Sequence, residues 1–161
     1  MFDEQEQNRL FTRHMKQESW ERAPPVPGRD PTRWRLDAVG NIVCHELRGC
    51  LGCLCHEYDH IIPYSKGGGT TIDNCQVLQT RANRYKGNED DDKHRLRGYS
   101  CNKKWNKGEL DAVEMGLYGD VRDELGKSKC RCKSNFEVLK EFAQVAKLPK
   151  RLINDTTPNC P

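Results

Sequence analysis

The stretch Glu57–Asn88, EYDHIIPYSKGGGTTIDNCQVLQTRANRYKGN, decides how this chain is read. It opens on a short β-prone run, and Pro63 restricts that run to a sheet edge or a strand end. Gly67, Gly68 and Gly69 read as a flexible hairpin loop. Asp73 or Asn74 then supplies an N-cap, and the residues from Cys75 to Lys86 read as one helix closed by Gly87 at C′. On that helix Leu78, Ala82 and Tyr85 share one face, and Gln79, Asn83 and Lys86 share the adjacent one.

Hydrolysis of a phosphodiester needs a base for water, a cation for the developing charge and cover for the leaving oxygen. The stretch offers candidates for the first two. Neighbours on a strand point to opposite faces, so Asp59 and His60 diverge, one to a metal and one to a water. A helix packed across the hairpin brings the carboxamide oxygen of Asn83 towards Asp59. Oxygen donors of this kind, with open positions for water, suit Mg²⁺ or Mn²⁺ rather than zinc. Arg81, Arg84 and Lys86 read either as a face that grips backbone phosphates or as a solvated surface. The plain alternatives are a strand-end Asp–His pair without chemistry and an exposed helix asparagine. The joint register of His60, Asn74 and Asn83, at gaps of fourteen and nine residues, favours the site.

With those residues in place, DHIIP…GG…DN…AN..K resembles the HNH nucleases, which share the ββα-metal fold. It is their H-N-N variant, and the spacing is also similar to that of the HNH domain of RNA-guided DNA-cleaving effector nucleases. A wider likeness, through RGYSC and ELDAVEMGLYGDV, is to an uncharacterised plant and algal HNH group. The resemblance implies that His60 is the general base, that Asp59 and Asn83 hold one divalent cation, and that Asn74 braces the loop between hairpin and helix. Many members also carry two Cys-x-x-Cys pairs that bind zinc. Here Cys50 and Cys53 make the first pair, but the second falls near Gln79 and Ala82, where cysteine is missing. Zinc then needs Cys50 and Cys53 to join other thiols from Cys44, Cys55, Cys101, Cys130 or Cys132.

Outward from this centre, RGCLGCLC reads as a tight knuckle, and RWRLDAVGNIVCHEL as two strands around a turn at VGN. Residues 1–23 have helical composition with a narrow stripe of Leu10, Phe11, Met15 and Trp20. PPVPGRDP follows as a stiff connector. After the centre, NEDDDKHRLRGYS reads as a loop. NKGELDAVEMGLYGDVRDEL reads as a helix with Leu110, Val113 and Leu117 in the core, and NFEVLKEFAQVAK as another. This divides the chain into an N-terminal helix and connector (1–33), the nuclease domain (34–93), a basic helical extension (94–147) and a disordered tail (148–161).

Composition sets the outer bounds. Hydrophobic residues are 35% and charged residues 32% of the 161, enough for one modest core. No apolar run of about 20 residues offers a membrane span, and the acidic start lacks a secretory h-region. An odd count of nine cysteines without such a signal reads as reduced thiols in an intracellular setting rather than a disulfide framework. Residues 94–161 hold 14 Lys and Arg against 9 Asp and Glu, whereas residues 1–93 hold 13 against 15. That basic excess fits a nucleic-acid partner. The reading is therefore an α+β protein, a small ββα-metal core with C-terminal helices and a poorly ordered N-terminal arm. It hydrolyses double-stranded DNA with Mg²⁺ or Mn²⁺, leaving 5′-phosphate and 3′-hydroxyl ends. The rivals are a zinc-stabilised module that binds nucleic acid without cleaving it and a protein-interaction module.

Overall fold

The computed structural model describes residues 9–90, 92–101 and 103–131. The expected helix at 135–147, the tail and Cys132 lie outside them. The described chain is α+β and divides into two units, one of residues 1–104 with 124–126, the other of residues 105–123 with 127–161.

In the first unit, helix α1 (Arg13–Arg22) begins at Thr12, whose hydroxyl accepts the Met15 N–H at 3.2 Å. Hairpin β1 (Trp34–Leu36) and β2 (Ile42–Cys44) turns at residues 37–41, where Gly40 takes φ +91°. Asp37 holds that turn by accepting from the backbone N–H groups of Val39 and Asn41. Strand β3 (His56–His60) pairs antiparallel with β4 (Cys75–Gln79), and helix α2 (Thr80–Lys86) follows without a loop. Helix α3 (Lys93–Tyr99) starts at Asp92, whose side chain accepts from His94 and Arg95 N–H groups, and packs on α2 through stacked Tyr85 and Tyr99.

Strand β4 corrects the reading of Cys75–Lys86 as one helix. Residues Ile72–Asn74 form a single 3-10 turn, and the next five residues are a strand buried at every position. Val77 points into a cluster with Trp20 and Val43, and Leu78 into a second with Val39, Ala82 and Leu96. A strand covered on both faces shows no polar–apolar alternation, so CQVLQ carries no period-2 signal and passes for helix. Its two glutamines are buried for the same reason. The second strand read in IVCHEL stops at Cys44, and the segment after Glu89 forms α3 rather than a loop.

In the second unit, helix α4 (Lys107–Tyr118) opens with a capping box between Asn106 and Glu109 and ends at Gly119, φ +76°. DVR is not its continuation but β5 (Asp120–Arg122), paired with β6 (Ser128–Arg131). Of the expected core stripe Leu110 is buried, Val113 is half-buried and Leu117 is exposed.

Candidate active site

Strand β3 sorts the site by alternation. His56, Tyr58 and His60 share one face, and Glu57 and Asp59 the other. The first face meets α1 and the residues before it. Trp20 packs against His56, with ring centroids 5.0 Å apart, and Phe11 against His60 at 4.2 Å. The second face meets α2, where Asn83 and Lys86 stand three residues apart and reach Glu57 and Asp59, two residues apart on the strand.

His60 is buried, and its Nε2 lies 3.1 Å from the Thr70 hydroxyl. When Nε2–H donates to that oxygen, Nδ1 carries the lone pair. Burial depresses the proton affinity of the ring, Arg9 and Lys86 press it the same way, and Asp59 opposes them. The neutral imidazole is thus the favoured form near pH 7. Asp59 diverges from it as the strand requires. Its Oδ2 accepts from Gln76, its partner across the hairpin, at 3.1 Å and from Lys86 at 2.8 Å. Asn83 donates its amide nitrogen to Glu57 at 2.7 Å, which leaves its carboxamide oxygen as a donor to a cation. Asp59, His60 and Asn83 all line one cavity of about 310 Å³, with Arg9, Phe11, Lys16 and Tyr58 on its walls.

The loop that carries Thr70 is pinned by Asn74. Asn74 accepts from Ile62 N–H at 2.8 Å and donates to the carbonyls of Ile62 and Gly69 at 3.0 and 2.9 Å. Gly68 is buried beneath it, and a Cβ there would overlap the Ile62 carbonyl. Gly67 takes φ +87° to close the 3-10 turn Tyr64–Lys66.

The basic face of α2 is not one surface. Arg81 is exposed and Arg84 is ion-paired to Glu57 at 3.2 Å. Lys86 is fully buried, holding Asp59 and the His60 carbonyl, so it does not stand with them as a phosphate contact. Burying its long stem under α2 is tolerable because the ammonium finds both partners.

The cysteines also depart from expectation. Cys50 is bonded to Cys55 and Cys53 to Cys101, with Cα separations of 5.4 and 5.3 Å, inside the usual disulfide range. Cys44 and Cys75 are buried and take part in neither disulfide. In this state Cys50 and Cys53 are not zinc ligands, and no group of three or more His, Cys, Asp or Glu among the described residues is placed to hold a metal. Gln79, at the position where a second cysteine pair would begin, does the joining instead. Its amide donates to the Cys53 carbonyl at 2.6 Å and accepts from Cys101 N–H at 2.7 Å.

Phe11, Thr70, Gln76 and the pairing role of Lys86 were not foreseen. Tyr58 was legible from strand alternation with His60; Phe11 was legible only as part of an apolar stripe, not as a wall of this cavity.

An antiparallel hairpin followed by a helix, with His and Asp at the strand end and Asn on the helix around one cavity, defines the ββα-metal class. Residues 44–89 match the family model described as HNH endonuclease, and the chain contains an HNH domain, the mark of a family of nucleases acting on nucleic acid. No curated protein and no solved structure matches the chain.

Proposed function

We propose that the chain is a metal-dependent endonuclease that hydrolyses phosphodiester bonds of double-stranded DNA. The observation that carries this is the convergence of Asp59, His60 and Asn83 on one cavity, with the loop that carries Thr70 pinned by Asn74. Neutral His60, oriented by Thr70, takes a proton from water, and the hydroxide attacks phosphorus in line with the 3′ oxygen. Departure of that oxygen leaves 5′-phosphate and 3′-hydroxyl ends.

The donor set fits a hard cation. One carboxylate and one carboxamide oxygen leave positions for water and substrate oxygens, as Mg²⁺ or Mn²⁺ prefers. Asp59 and Asn83 would hold it, and when bound it supplies charge for the transition state and the leaving oxygen. Lys86 and Gln76 hold the Asp59 side chain in place. Arg81 and Arg84, on the outer side of α2, are candidate phosphate contacts. Zinc binding by Cys50 and Cys53 would require both disulfides to be reduced, because each of the two cysteines is bonded to another thiol.

One observation favours the rival, a module that binds without cleaving. The Lys86 ammonium already neutralises Asp59. A metal titration with supercoiled plasmid separates the two. The nuclease reading requires nicked circles that appear with Mg²⁺ or Mn²⁺, vanish with chelator and reseal with ligase. Salt-sensitive binding without product at any metal concentration would establish the rival.

A further inference from the structure

Helix α1 places Arg13, Lys16, Gln17 and Trp20 at i, i+3, i+4 and i+7, on one face. At its C-terminal end this face is buried, with Trp20 packed on Val43 and Val77. At the other end it opens. Arg13, Lys16 and Gln17 line a groove of about 520 Å³ whose opposite wall is His45, Arg48 and Tyr58. Trp20 also packs edge-on against His45 and so fixes that wall. Lys16 and Tyr58 border both this groove and the cavity holding Asp59, His60 and Asn83, so the two adjoin.

The charges of the groove are one-sided. Its one carboxylate, Glu46, faces His45 at 3.6 Å. Arg13, Lys16 and Arg48 make no ion pair among the described residues, whereas Arg22, Lys66 and Arg84 elsewhere on the surface each have a carboxylate. Three cations around a groove, without a carboxylate partner among the described residues, repel one another and attract a polyanion. Tyr58 lines the groove beside them, and its phenol O–H is a hydrogen-bond donor for a phosphate oxygen.

We propose that this groove carries the sugar–phosphate backbone of DNA into the catalytic cavity, with Arg13, Lys16 and Arg48 as its phosphate contacts. The proposal rests on the nuclease reading for the identity of the polyanion, and it gives α1 a role that α2 was expected to fill.

The test is equilibrium binding of a labelled DNA duplex, read by fluorescence anisotropy across a salt series. It uses the full chain carrying His60→Ala, so that cleavage cannot intrude. The combined Arg13→Gln, Lys16→Gln, Arg48→Gln variant is compared with a control of equal charge, Lys93→Gln, Lys104→Gln, Lys129→Gln, whose residues border neither cavity. The groove variant should lose about tenfold or more in affinity, and its salt slope should fall by about 0.9 for each phosphate contact removed. The control should lose far less. Equal affinity and slope in the groove variant, equal losses in the control, or tighter binding of polyglutamate than of DNA would each overturn the proposal. If the unsubstituted chain binds DNA through the groove yet never nicks plasmid, the nuclease reading fails and the groove stands.

Discussion

His60 is set by its neighbours. Thr70 fixes one ring nitrogen, Phe11 covers a face, and burial keeps the ring neutral. Asn74 and Gly68 hold the loop that supplies Thr70. Replacing Asn74 by Ala removes its three hydrogen bonds to this loop, each worth about 0.5–1.5 kcal/mol. Urea unfolding of Asn74→Ala should show a loss of that size, and Gly68→Ala, which forces Cβ into the Ile62 carbonyl, a comparable one. His56 makes a separate prediction. Burial first, then the charges of His45 and Arg48, lower its pKa from 6.5 to about 4, against hydrogen bonds that raise it. The unfolded state therefore binds the extra proton between those values. Stability should be full above pH 6.5 and fall by about 3 kcal/mol as pH drops to about 4. In His56→Phe this acid-dependent loss should be absent from unfolding curves taken at pH 7 and pH 4.5. Asp59 and His60 were legible because strand alternation separates neighbours. The burial of Lys86 was not, since a lysine on a short helix reads as exposed until its carboxylate partner is placed opposite.

At the level of elements, β4 is the piece that locates the site. It puts Gln76 opposite Asp59, feeds two cores from adjacent residues and delivers α2 to the other side of β3. Its two-sided burial is what hid it in the sequence. Knuckle and α3 are tied together by Gln79 and by the Cys53–Cys101 bond, which spans 48 residues of sequence. Cross-linking a loop of that length is worth about 4 kcal/mol through the unfolded chain. Reductant should lower the urea midpoint accordingly, and Cys101→Ser should abolish most of the reductant effect. If instead the four cysteines titrate as free thiols in the native protein and zinc restores the midpoint, the metal-bound form is the working one. Spacing alone could not pair these cysteines, because Cys101 reaches Cys53 only once α3 has packed on α2.

For the molecule as a whole, residues 9–104 surround the HNH motif from both sides. The N-terminal segment, which composition marks only as helical and polar, lines the cavity through Arg9, Phe11 and Lys16. No helix among the described residues is long and apolar enough to cross a membrane. The motif was readable because hydrolysis demands a few residue types at fixed spacing. The walls around it were not, because any charged helix can supply them. In the proposed metal-dependent nuclease, His60 activates water. Nicking of supercoiled plasmid in Mg²⁺ or Mn²⁺, compared between the unsubstituted chain and His60→Ala with matched circular dichroism, tests it most directly. The variant should lose about 100-fold or more of this activity; equal nicking by the two proteins would contradict the proposed role of His60.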